Sequence, residues 1–198
     1  MAFTHLATQT VTGSAAASFT FSSISQSYQH LYFKGHTSST ERRGTQYAYD
    51  TIEVSYNGYT SAGYFQYQDT SSIGHNSGTG TSGNNEGGLA FIGGDNSYFL
   101  CQWGDPATDA SATQTTPCFG DFDYWLGNYT QSASKMWSPS LWESYCVGGS
   151  PTAGAMWGRG LGAGNFFVNA AITSVKFSLT YGSFNIGSVI SMYGLEAS

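Results

Sequence analysis

Residues 171–195 read AITSVKFSLTYGSFNIGSVISMYGL, and the alternation in this stretch decides the fold class. Val175, Phe177 and Leu179 alternate with Ser174, Lys176, Ser178 and Thr180. A period of two puts the apolar set on one face of a pleated strand and the polar set on water. Tyr181-Gly182-Ser183 interrupts the pattern with turn chemistry. Phe184, Ile186, Ile190 and Met192 then follow in phase, with Gly187 and Gly194 as a bulge and a stop. Two in-phase strands around a short turn predict a terminal β-hairpin tied into a sheet.

Working outward, the composition agrees with a β protein. Glycine makes up 26 of 198 residues, roughly double its usual share. Aromatic residues reach 16% and charged residues only 9%. A chain rich in glycine and aromatics and poor in helix formers points to an all-β antiparallel sandwich or barrel. The length suits one domain with a sizeable core. The net charge is −6, and the six basic residues are scattered. No basic patch could hold a phosphate backbone, so nucleic acid is not an expected partner. Few charges on a polar surface suggest a chain partly buried against other protein.

The first residues, MAFTHLATQT, lack a basic start and a signal-length apolar run, and no stretch approaches a membrane span. The expectation is therefore a protein made in the cytoplasm without a membrane partner. Cys101, Cys118 and Cys146 are odd in number and form no CxxC. They read as small buried hydrophobes, with no cofactor and no metal expected.

Along the chain, residues 1–18 are rich in Thr, Ala and Ser without a sustained period. They read as an N-terminal arm or edge segment, pairing with a neighbouring subunit, ahead of a single β-sandwich domain over 19–198. Phe19 and Phe21, then Leu31 and Phe33, then Ile52, Val54 and Tyr56 mark the first strands. Asn57-Gly58 is a favoured hairpin pair, with residues 64–68 as the expected partner strand. Arg42 and Arg43 lie in a polar stretch and read as solvated. Residues 69–88 form a Gly/Ser-rich loop containing a literal GxGxxG at Gly78, Gly80 and Gly83. Polar turn residues precede it and no helix pattern follows, so no dinucleotide site is expected.

Residues 89–92 and 98–103 suggest two more strands, and Phe122, Tyr124 and Leu126 another. Asp121 and Asp123 share one phase of that strand, which invites an acid/base or metal reading. No partner carboxylate can be placed opposite them, so an exposed strand face is the stronger reading. Asn128-Tyr129-Thr130 is a formal glycosylation sequon, meaningful only in a secreted eukaryotic protein. Residues 134–147, with Trp137 and Trp142, are the most helix-tolerant piece, although Pro139 argues for strands. Glycine dominates 148–164, where special φ values or close backbone approach are expected. Roughly eight to ten short strands separated by turn signals suit an antiparallel sandwich with long Gly/Ser-rich loops.

Two segments carry a resemblance. Residues 18–35, SFTFSSISQSYQHLYFKG, and 169–195 resemble a family of tailed-bacteriophage structural proteins, abundant among cyanophages and other environmental phages. Its members tend to begin with F-S-S-I-x-Q-x-Y-x-H-L, matched by residues 21–31. They tend to end with A-I-T-S-I, a turn, and G-S-x-x-S-L-Y-G-I, matched by 171–175 and 187–195 with Met192 and Leu195 as mild departures. The family's N-G is met by Asn57-Gly58, and its D-Y-x-N-T-x-x-x-K loosely by Asp123-Tyr124 through Lys135. The match covers both ends well and the middle poorly.

The resemblance implies a virion component with a jelly-roll-like β-sandwich, acting as a head decoration (cement) protein or part of a fibre. It carries no catalytic residues. Tyr28, His30 and Tyr193, the polar residues of the matched phrases, read as framework. The expected role is to bind the major capsid protein and stabilise the head, as a homo-oligomer such as a trimer, in a virion assembled in the bacterial cytoplasm. The alternative is a fibre domain whose exposed Trp and Tyr recognise host glycans. A glycan-degrading enzyme using Asp121 and Asp123 ranks last.

Overall fold

The period of two is built into strands wherever the chain is described. The computed structural model describes residues 2–40, 49–58, 64–74, 98–103, 119–146, 156–166, 169–179 and 182–196, and none of these is helical. The strands are β1 (Phe3–Thr10), β2 (Ser18–Phe21), β3 (His30–Thr37), β4 (Tyr49–Tyr56), β5 (Tyr64–Gly74) and β6 (Tyr98–Trp103). They continue with β7 (Gly120–Leu126), β8 (Lys135–Cys146), β9 (Met156–Phe166), β10 (Val175–Leu179) and β11 (Val189–Leu195).

Two antiparallel sheets form the sandwich. One has seven strands in the order β1-β11-β3-β7-β8-β9-β5, the other four in the order β2-β10-β4-β6. The pairing is nested: β1 pairs with β11, β2 with β10, β3 with β7 and β4 with β6. This is jelly-roll winding. Strands β5, β8 and β9 widen the larger sheet beyond β7.

The alternating apolar residues meet between the sheets. Leu31, Phe33, Phe122, Tyr124, Leu126 and Ile190 of the larger sheet pack in one buried cluster with Phe19, Phe21, Ile52, Val54, Val175 and Phe177 of the smaller. Phe177 is the hub, its ring centre 5.1 Å from that of Phe33, 5.8 Å from Phe122 and 6.1 Å from Tyr124. Each fully buried ring of this kind contributes about 1.5–3 kcal/mol through the area it removes from water.

The terminal hairpin is the main correction. Strands β10 and β11 lie in different sheets, so residues between them cross the edge of the sandwich instead of turning back. The crossing runs beside the link from β1 to β2. Gly187 N–H donates to Val11 O at 2.9 Å, Val11 N–H donates to Ser188 O at 2.9 Å, and Ala16 and Phe184 exchange both backbone bonds. Phe184 is buried at this corner against Phe19, with ring centres 4.7 Å apart. Ile186, expected in phase with it, is 55% exposed because the crossing breaks the strand's periodicity.

Other expectations shift for related reasons. Asn57 and Gly58 do adopt positive φ (51° and 76°), but β4 and β5 belong to different sheets and form no hairpin. Asp69 through Gly74, read as loop, extend β5; residues 75–88 and the 89–92 strand lie outside the described residues. Residues 135–146 are strand, as Pro139 argued against the helix, and the proline falls where the β8 register shifts between Trp137 and Ser140. Such a bulge is where a sheet can take a proline. The glycine-dominated stretch supplies β9, paired on both sides by β5 and β8.

Residues 3–10 are not a detached arm: they form β1, paired with β11 from Phe3↔Leu195 to Thr10↔Val189. The strand also serves the second sheet. Gln9 places its carboxamide against the backbone of β2, donating to Thr20 O at 2.6 Å and accepting from Thr20 N–H at 3.3 Å. One side chain thereby stands in for a neighbouring strand at the edge of β2.

Gly35 lies on the inward face of β3, where an added Cβ would sit 2.0 Å from the Phe122 ring. Gly35→Ala is expected to lower stability by about 1–3 kcal/mol through overpacking. Adding Phe122→Leu should recover part of that loss, and urea melts of the single and double variants check it.

Candidate functional site

The matched phrases gather at one end of the sandwich and hold loops together. Ile24 and Ile172 are buried there, and Ile24 N–H donates to Thr173 O at 3.0 Å. Gln26 Nε2 donates to Ile24 O and Ile172 O, both at 3.0 Å. Asn57 closes the same end: its Nδ2 donates to Ala171 O at 2.8 Å, and its Oδ1 accepts from Thr173 N–H at 2.8 Å and Ser174 N–H at 3.1 Å. Tyr129 is buried with its hydroxyl donating to Ser25 O. Lys135 is only 1% exposed, its ammonium donating to Ala133 O and Ala170 O, and burial pushes its pKa down.

Of the phrases' polar residues, Tyr28 lays its ring over Gly194, where an added Cβ would sit 2.5 Å from it. His30 Nδ1 accepts from Asn128 N–H at 3.1 Å, and burial pushes this imidazole's pKa down, towards the neutral form that can accept. Asn128 itself sits at φ 50° in the turn after β7 and accepts from Gln29 Nε2 at 3.0 Å. These are framework contacts.

The outward face of β1, β11, β3 and β7 is organised differently. Register sets His5 opposite Tyr193, Tyr193 opposite Tyr32, and Tyr32 opposite Trp125. The four side chains make one aromatic row running across the strands. Ring centres are 5.4 Å apart for His5–Tyr193, 6.0 Å for Tyr32–Tyr193 and 6.5 Å for Tyr32–Trp125. Phe3, 55% exposed, adds a ring beside the middle of the row, 5.3 Å from Tyr32 and 6.4 Å from Tyr193. His30 adds another, 5.5 Å from Trp125.

A polar row lies beside it: Thr8 opposite Ser191, Ser191 opposite Lys34, Lys34 opposite Asp123. The rows are tied together. His5 Nε2 and Thr8 Oγ1 are 2.8 Å apart, as are Thr8 Oγ1 and Ser191 Oγ. Tyr32 O–H donates to Asp123 Oδ1 at 2.5 Å. Burial, that hydrogen bond and the nearby charges push the Tyr32 hydroxyl's pKa up, so it stays a donor throughout the physiological range. A third row follows, in which His36 stacks on Phe119 with centres 4.7 Å apart and pairs its Nδ1 with Asp121 Oδ1 at 2.8 Å.

Asp121 and Asp123 thus share the outer face as the alternation requires, each held by its own β3 partner, and no metal-ligand cluster forms among the described residues. Cys101 and Cys146 lie on β6 and β8, Trp137 and Trp142 on β8. Cys118, Arg42, Arg43 and Gly78, Gly80 and Gly83 lie outside the described residues. The aromatic row escaped the sequence reading because register between distant strands is invisible there. A signal was present: Tyr32 and Trp125 occupy the outward phase, where alternation calls for polar residues. No family model, curated protein or solved structure matches this chain.

Asn57→Gly keeps the left-handed backbone and removes only the side-chain bonds, with an expected loss of about 1–3 kcal/mol. Asn57→Ala should lose more, because it gives up the same bonds yet keeps a Cβ at φ 51°, which glycine does not carry. Comparing the two midpoints in urea separates clasp from backbone strain.

Proposed function

We propose that this chain is a phage virion structural protein of the head-decoration type, binding the major capsid protein and reinforcing the shell. The resemblance of residues 18–35 and 169–195 to phage structural proteins supports this reading, and so does a chain carrying only 9% charged residues. The observation that carries it is the open edge of β1. This strand of eight residues, FTHLATQT, has no Pro, Lys, Arg, Asp or Glu. It pairs with β11 on one side and, among the described residues, with no strand on the other. Apart from the register shift between His5 and Ala7, such an edge lacks the charges and prolines that discourage pairing, and it suits addition of a strand from another chain. A capsid lattice would present that strand many times, turning modest single contacts into firm attachment.

A fibre domain recognising host glycans is the second reading, favoured by the exposed aromatic row. The two differ in what loss of the protein does. A decoration protein adds its binding energy to the shell by mass action. Particles lacking it are expected to assemble, adsorb normally and release DNA at lower temperature than wild type. Normal heat stability with lost adsorption would favour the fibre reading. Imaging of intact particles should place the chain on the head.

A further inference from the structure

We infer that the outward face of β1, β11, β3 and β7 is a binding surface for a linear, uncharged oligosaccharide lying across the strands. The inference extends the glycan half of the second reading and holds wherever the chain sits in the particle. A pyranose has an apolar face of C–H groups and a rim of hydroxyls. A surface that recognises a run of such rings needs aromatic rings in line, flanked by hydrogen-bonding groups that are themselves held in place. Both features occur here side by side.

The aromatic row of His5, Tyr193, Tyr32 and Trp125, with Phe3 beside its middle, spans four strands. Three interstrand steps of about 4.8 Å make it about 14 Å long, enough for several sugar rings and more than a single one needs. Aromatic rings cost little conformational entropy to hold, and here they brace one another edge-on. The adjoining row of Thr8, Ser191, Lys34 and Asp123 offers hydroxyl, ammonium and carboxylate groups at the same strand spacing. Thr8 is bonded to His5 and Ser191, and Asp123 to Tyr32, so these groups are oriented before a ligand arrives.

Charge argues for a neutral ligand. Asp121 and Asp123 face Lys34 and His36 across β3 and β7, so the face holds no positive excess to draw an anion. A polyanion such as a sulfated glycan or a nucleic acid would meet two carboxylates and one lysine.

Affinity electrophoresis of the whole protein through gels containing neutral linear polysaccharides (a β-1,4-glucan, a mannan, a xylan) tests this, with a sulfated glycan as the charged control. Retardation by at least one neutral polymer and none by the sulfated one is expected. Trp125→Ala and Tyr193→Ala should each weaken it about tenfold, the scale of one lost ring contact. Phe3→Ala, at an exposed ring, and Asp123→Asn guard against unfolding of the half-buried variants, and both should weaken binding with unchanged melting temperature. Ile186→Ala, on the crossing segment, should change nothing. No retardation by any neutral polymer would overturn the inference, as would retardation indifferent to all four face variants. Self-association in gel filtration that Trp125→Ala abolishes would assign the face to a second copy instead. Loss of binding with normal adsorption of particles carrying these variants would sink the fibre reading and leave the glycan surface standing.

Discussion

The sandwich rests on the contact of Phe177 with the facing sheet. The residue comes from the short strand β10, yet its ring reaches Phe33, Phe122 and Tyr124 across the interface and Phe21 on its own side. Most of these pairs meet edge to face or tilted, the arrangement that aligns the positive rim of one ring with the negative face of another. The glycine at position 35 is part of the same constraint, since the Phe122 ring occupies the space where its side chain would be. Interior packing of this density tolerates little change in volume.

The edges of the two sheets are treated unequally. The β2 edge is closed from within the chain by the Gln9 carboxamide. The β1 edge keeps a register shift between His5 and Ala7 as its only irregularity. A bulge of this kind twists an edge and limits indiscriminate pairing without forbidding a partner shaped to it. The backbone of Thr20 on the β2 edge is thus met from within the chain, while β1 has, among the described residues, no strand beyond it.

Where alternation is regular, strand positions and inward residues were legible, because a period of two is a local property; β1, β8 and β9 lack that regularity and were not read from it. Val175, Phe177 and Leu179 on one side, and Phe122, Tyr124 and Leu126 on the other, face the core as the sequence pattern requires. Partnership was not legible. The short link between β10 and β11 looks like a hairpin turn until Val11 and Ala16 are seen to run beside it. Asn57-Gly58 has hairpin chemistry, and its side chain is taken up by a loop more than a hundred residues away instead. The aromatic row failed to show for the same reason: its members come from four strands that meet only through register. Local chemistry specifies elements, whereas nested long-range pairing specifies the surface.

That nesting has a kinetic side. Thr8 and Ser191 are bonded although 183 residues separate them in the chain. Within the sheets, β11 lies between β1 and β3, and β10 between β2 and β4. The strands made last are therefore inserted between strands made first. During synthesis β1 and β2 have no strand to pair with until β11 and β10 are made, so the smaller sheet is complete only after residue 179 and the larger only after residue 195. Folding dominated by such distant contacts is slow, and its waiting segments expose unpaired edges. Vectorial synthesis gives β1 and β2 no head start, although they are the first strands made.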